Sequence, residues 1–224
     1  VGDNMIPLRD SEPSRKVPLA TLFIIFLNVM VFIKQFTLPY DEALNMVYKY
    51  AFIPARFANG LTDIRSYIPL FTSMFMHGDI IHIVSNMWSL WLFGDNVEER
   101  MGFFKFIVFY ILTGLIAEFA NFIFDPISNI PTLGASGAIA GVMGAYFIMF
   151  PHSRILTLIP IIPFFIRIPA GVFLFLWFIS QLRSGIYGIA GGIAWWAHIF
   201  GFLSGVFLYR KFLKRRKSYN YYSK

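Results

Sequence analysis

With 57% hydrophobic residues and only 14% charged ones, the 224-residue chain departs from soluble domains, which hold roughly 45–50% apolar and about 25% charged residues. That composition, with a mean hydropathy of +0.63, points to lipid as the solvent and leaves room for one domain of about six helices, each needing roughly 20 apolar residues to cross. The net charge of +7 does not indicate a nucleic-acid partner, because Arg210, Lys211, Lys214, Arg215, Arg216 and Lys217 crowd behind the last apolar run; a basic segment placed so reads as a membrane-face tail. The absence of cysteine excludes disulfides, cysteine nucleophiles and thiolate zinc sites.

In chain order, a short segment over residues 1–16 leads into a first span at about residues 17–36, read as a retained helix because it lacks a small-residue cleavage site. Residues 37–69 follow, broken by Pro39, Pro54, Gly60 and Pro69 and studded with Tyr40, Tyr48, Tyr50, Phe52, Phe57 and Tyr67. Aromatic residues at short intervals among few charges suit a segment lying in the membrane interface. The second span is expected over about residues 70–93 and the third over 103–124, with the turn Glu98-Glu99-Arg100 between them. The fourth, at about 136–150, is short and rich in small residues. The fifth is expected over about 169–182, after an apolar run interrupted by Pro160, Pro163 and Arg167, and the sixth over 193–212. A basic tail occupies 213–224. The sequence therefore predicts an all-α, polytopic membrane protein with a core over residues 17–212. Six spans bring both termini to one side. Lysine and arginine gather on that side, which places both termini in the cytoplasm of a prokaryotic cell whose inner or plasma membrane the chain spans.

Polar groups inside a span are costly, at roughly 2.5–3.5 kcal/mol for a charge at the bilayer centre, so each needs a reason. They concentrate in His77-Gly-Asp-Ile-Ile-His82-Ile-Val-Ser-Asn86, in Gly134-Ala-Ser136-Gly137 and in Ala197-His198-Ile-Phe-Gly201. Ser136 stands where a loop becomes a helix, a position that serves either as a plain N-cap or as a nucleophile beside free backbone N–H groups. Gly137, Gly141 and Gly144 form a stripe that lets helices approach closely, and Ala194, His198, Gly201 and Gly205 form a matching one. If the two stripes pack, Ser136 and His198 meet as a nucleophile and base; a structural hydrogen bond is the bland alternative for His198. His82 and Asn86, four residues apart, share a helix face and offer either helix–helix hydrogen bonds or donors to a developing oxyanion. His77 and His82, taken as one helix, point about 140° apart, which argues against a metal site.

The stretches HGDIIHIVSN, GASG and AHIFG, in this order on hydrophobic helices, resemble the rhomboid intramembrane serine proteases. The resemblance implies a six-helix rhomboid-like bundle with a membrane-embedded first loop. It implies Ser136 as nucleophile and His198 as general base, with no acidic third member. The Ser136 N–H, His82 and Asn86 would form the oxyanion hole. His77, Gly134, Gly137, Gly141 and Gly201 would give structural support, and no metal or cofactor would be used. Substrates would be single-pass transmembrane proteins reached through membrane lipid, between the second and fifth spans, with no nucleic-acid partner. Some members of the family carry a tyrosine four residues after the serine, stacked on the base. Ala140 stands there, so His198 needs another orienting group, from Trp195, Trp196 or a neighbouring helix. A catalytically inactive relative would lack the serine or histidine, and a transporter would show inverted repeats and midplane acids; Glu118 is the one acidic residue well inside a span.

Overall fold

A computed structural model describes residues 6–159, 164–187 and 193–214. Its framework is six long helices: α1 (Leu19–Thr37), α5 (Ile80–Met101), α6 (Phe103–Phe124), α7 (Ser136–Met149), α8 (Ala170–Tyr187) and α9 (Trp195–Phe212). Between α1 and α5 run the short helices α2 (Tyr40–Tyr50), α3 (Pro54–Asn59) and α4 (Ile68–Thr72). The helical, polytopic character expected from the sequence holds. By length and composition, α1, α6 and α8 are each able to cross a membrane. α5 carries a charged last turn and α9 a basic one, and α7 has 14 residues, so these three do not meet the same criteria. Phe23, Phe26, Met30 and Ile33 of α1 are exposed, an apolar face suited to lipid and too large for water.

The main departure in boundaries is the second span. The apolar run from Leu70 reaches Met76 without a break in hydropathy, yet α5 starts only at Ile80, where the Asp79 carboxylate accepts the His82 N–H at 2.8 Å. The helix then continues through the charged Asp95–Arg100 turn and stops at Gly102, whose φ of 85° suits a residue without a Cβ. Glu98 explains why a charged residue belongs in that helix. It is buried, and its carboxylate accepts Ala20 N–H, Thr21 N–H and the Thr21 hydroxyl at 2.8–2.9 Å. α1 has no side-chain cap of its own, so Glu98 satisfies its orphan amides from across the fold.

A three-stranded antiparallel sheet was not anticipated from the sequence. Strand β1 (Ile6–Arg9) pairs with β2 (Arg154–Ile159), which pairs with β3 (Phe164–Pro169). The apolar run broken by prolines before the fifth span is thus a β-hairpin, and its β-branched isoleucines suit strands. The hairpin tip, with Pro160 and Pro163, lies outside the described residues. Beyond β1, Arg15 N–H reaches Glu99, and Lys214 donates from its backbone to Arg100 and from its ammonium to Glu99. Both described ends therefore converge on the α5–α6 turn, here called the terminal face. The basic residues from Arg215 onward lie outside the described residues.

The core is centred on α7. Its small-residue face meets α9 at backbone contact: a Cβ at Gly201 would strike the Gly137 carbonyl, one at Gly205 the Gly141 carbonyl, and one at Gly144 the Phe202 carbonyl. The matching stripes expected from the sequence do pack together. Ala140 lies against Gly201 in this contact, and its buried position leaves no room for a tyrosine.

Candidate active site

With about 1.5 Å of rise per residue, α7 is about 21 Å long, against a hydrocarbon core of roughly 30 Å. The helix is therefore too short to cross such a core by itself. Ser136 is the first residue of the helix, after Ala135, and no side-chain cap bond is made there. The plain N-cap role is therefore not the one the side chain takes. Its Oγ lies 2.8 Å from His198 Nε2. The contact follows from the Gly-on-Gly packing of α7 and α9, which brings the first turns of both helices within side-chain reach.

Around this pair a cavity of about 740 Å³ is lined by His82, Asn86, Ser136, Trp177, Gln181 and His198 among others. Asn86 is buried, and its amide Nδ2 has no hydrogen-bond partner among the described residues. His82 accepts the Gly78 N–H on Nδ1 at 3.5 Å, which leaves Nε2 to carry the proton. Gly134 sits between the two: its φ is 127°, and a Cβ there would lie 2.7 Å from His82 Nε2 and 3.8 Å from Asn86 Nδ2. The bare backbone at Gly134 thus leaves space in front of both donors. Gly134 N–H is held by the Ser73 carbonyl at 2.9 Å.

His77 is placed otherwise than expected. It precedes α5, so the helical angle between it and His82 does not apply, and the two rings meet edge to face at 5.0 Å. His77 is fully buried, and Gln35 of α1 clamps its backbone, donating to His77 O at 2.9 Å and accepting its N–H at 3.4 Å. The packing sets His77 against His82, and His77 does not line the cavity around Ser136. Gly137 and Gly141 lie under α9 and against Ala117 and Thr113 of α6. Glu118 takes no part in the cavity; its carboxylate faces Ser73 and Thr132 at 3.4 and 3.3 Å.

The sequence reading missed Gln181. This buried α8 residue places Oε1 at 2.7 Å from His198 Nδ1. Of the tryptophans that the sequence offers as orienting groups, Trp195 stands edge-on to the imidazole at 6.0 Å, whereas Trp196 stacks on Phe124 at 4.0 Å. The available signal was a glutamine just inside the C-terminal end of the expected fifth span, four residues after Trp177 and so on the same face.

The family model of the Rhomboid domain matches residues 65–215, more than half of the chain. The chain belongs to the rhomboid family. Among curated relatives, this rhomboid chain is 33% identical over 100 residues to Presenilin-associated rhomboid-like protein A, mitochondrial, of Danio rerio, covering 43% of the chain and 26% of that protein. It is 28% identical over 153 residues to Rhomboid protein 1, mitochondrial, of Saccharomyces cerevisiae, covering 64% and 41%. It is 38% identical over 76 residues to Rhomboid protease GluP of Bacillus subtilis, covering 34% and 14%. The matches thus span less than half the length of these relatives. The mitochondrial names overturn the expected prokaryotic cell membrane. Charge asymmetry ranks the two sides of a membrane and carries no information on which organelle holds it, which is why that expectation went astray.

Proposed function

We propose that this rhomboid is an intramembrane serine endopeptidase that cleaves single-pass membrane proteins within or near their transmembrane segment. The observation that carries the reading is the 2.8 Å approach of Ser136 Oγ to His198 Nε2 at a helix N-terminus, facing a cavity that also holds Asn86 and His82. Ser136 Oγ attacks the scissile carbonyl carbon as His198 Nε2 takes its proton. The new C–O bond forms a tetrahedral oxyanion. His198 returns the proton to the leaving amine as the C–N bond breaks, and water, activated by His198 in turn, hydrolyses the acyl-enzyme.

The oxyanion would be met by the Ser136 N–H, by Asn86 Nδ2 and by His82 Nε2. In support, Asn86 Nδ2 lacks a partner among the described residues, so it is free to donate when charge develops. His77 and Gly134 hold this corner, and Gly137, Gly141 and Gly201 hold the α7–α9 contact beneath the dyad. Substrate would pass from membrane lipid between α5 and α8, whose residues Ser85, Asn86, Phe173 and Trp177 wall the cavity. Segments that unwind readily are the expected substrates, because helical backbone is shielded by its own hydrogen bonds. The membrane is that of the mitochondrion, as in the relatives so named.

Cleavage of a single-pass reporter in proteoliposomes, with fluorophosphonate labelling in parallel, tests the reading. Ser136→Ala and His198→Ala should each abolish cleavage and labelling while the protein elutes and melts as the parent does. Undiminished proteolysis by Ser136→Ala would sink it.

A further inference from the structure

We infer that Gln181 is a positioning residue that fixes the tautomer and orientation of His198, completing a Ser136–His198–Gln181 array. The inference rests on the catalytic reading of Ser136 and His198 and asks how an imidazole without an acidic partner is held as a base.

The direction of every bond in the array is determined by its neighbours. Ser180 Oγ donates to the Trp177 carbonyl at 2.6 Å, so that hydroxyl has spent its only proton and acts toward other groups as an acceptor. Gln181 Nε2 donates to it at 3.1 Å. The amide is thereby oriented with its nitrogen on Ser180 and its carbonyl oxygen on the histidine, 2.7 Å from Nδ1. A carbonyl oxygen only accepts, so Nδ1 carries the proton. Nε2 is then the lone-pair nitrogen, and it is the one 2.8 Å from Ser136 Oγ. The chain runs in one sense, from the serine hydroxyl through the imidazole and the amide to the α8 backbone, and the tautomer it selects is the one a general base needs.

Three features separate this from an incidental contact. Gln181 is 5% exposed in the C-terminal half of α8, and a buried amide is costly unless both its ends are satisfied. Both are. Trp177, one turn earlier, lies 6.1 Å from the imidazole at a 33° tilt, and Trp195 closes another side edge-on at 6.0 Å. The two tryptophans restrict the ring's position, while Gln181 supplies the hydrogen bond to Nδ1 among the described residues. Finally, Ala140 leaves the ring without the stacking tyrosine expected in other members. A neutral amide also stabilises the imidazolium formed during attack without introducing a permanent charge into the layer.

The test compares Gln181→Leu, Gln181→Met and Gln181→Glu in the full chain, reconstituted with the single-pass reporter. The Leu and Met variants remove the acceptor at similar volume. Each should lower kcat by roughly 10–100-fold, the range that loss of a histidine-orienting partner usually costs, with KM within about twofold of the parent value. Gln181→Glu, which keeps an acceptor on Nδ1, should restore kcat to within severalfold. Nitrogen-15 NMR of histidine-labelled protein supplies the readout that a purely packing role would not move. His198 should show a single Nδ1–H tautomer in the parent and a tautomer mixture in Gln181→Leu. Parent-like kcat in both acceptor-free variants would overturn the inference, and so would a lowered kcat with the tautomer unchanged. Neither result touches the dyad, which stands or falls on Ser136→Ala.

Discussion

At one end of α7, Ser136 meets His198 and, through it, Gln181; at the other, Tyr146 donates its hydroxyl to Asp10 and lies 3.0 Å from the Ser153 hydroxyl, from which it can accept, and Asn96 Nδ2 joins the same Asp10 carboxylate at 2.9 Å. Both are short polar chains on one apolar helix, and they differ in what is left unsatisfied. At the terminal face, the Asp10 chain, the β1–β2 pairing and the bond from the Trp88 indole to Pro7 O at 2.6 Å pin the N-terminal segment across α5, α7 and β2, so the polar groups are consumed in holding elements together. At the cavity, the Asn86 amide has no partner among the described residues and Ser136 is half-buried. A site that must stabilise charge only during reaction keeps donors in reserve, whereas a joint spends them. Substitutions near the cavity should therefore lower turnover and spare stability, and substitutions at the terminal face should do the reverse.

The largest expected departure is at Asn86. Because its Nδ2 bonds nothing among the described residues, Asn86→Ala should lower kcat by about 10²–10³-fold and leave the thermal midpoint in detergent within a degree or two; a large drop in midpoint would mean that the amide is structural. Glu98→Ala probes the opposite region. It strips three bonds from the start of α1, and hydrogen bonds to a charged group are each worth about 1.5–3 kcal/mol. A loss of at least about 3 kcal/mol is expected in reversible unfolding, with kcat preserved below the transition.

Gly134→Ala sharpens the boundary between the two classes, since its Cβ would strain the backbone by about 1–3 kcal/mol and press on His82 Nε2. Turnover and midpoint should both fall. If only the midpoint moves, His82 does not contribute to the reaction.

The smallest effect is at Asp10, a group outside the spans. Burial holds its carboxyl above the ordinary carboxylate range, opposed chiefly by the hydrogen bond from Tyr146. A raised pKa means that the folded state binds the proton more tightly than the unfolded chain. Its contribution is then complete below the ordinary range and is lost as pH rises through the raised value. Asp10→Asn should remove that slope, a change on the order of a few tenths of a kcal/mol after solvent screening, seen by comparing midpoints between mildly acidic and neutral pH.

Much of this was legible in the residues. Hydropathy located α6 and α7 almost to the residue, because each begins at a sharp change: Gly102 before Phe103, and the Gly134-Ala-Ser136 turn before the small-residue stripe. The stripes themselves predicted the α7–α9 contact, since only residues without bulk let two backbones touch. The start of α5 was not legible, because Leu70 to Met76 is as apolar as a span and only the Asp79 cap ends the ambiguity. Nor was the sheet, since Ile6–Arg9 is strand only when β2 lies beside it.

By itself the sequence determined that the chain is a helical membrane protein, that Ser136 and His198 lie on faces able to meet, and that His82 and Asn86 share a third face. These follow from composition and from the 3.6-residue period, both of which are local. Only the tertiary structure decided that His77 turns back on His82, that Glu98 caps a helix 77 residues away in sequence, and that Gln181 holds His198. Each depends on which helix lies beside which, and a polar side chain in an apolar helix does not name its partner until the neighbouring helix has docked.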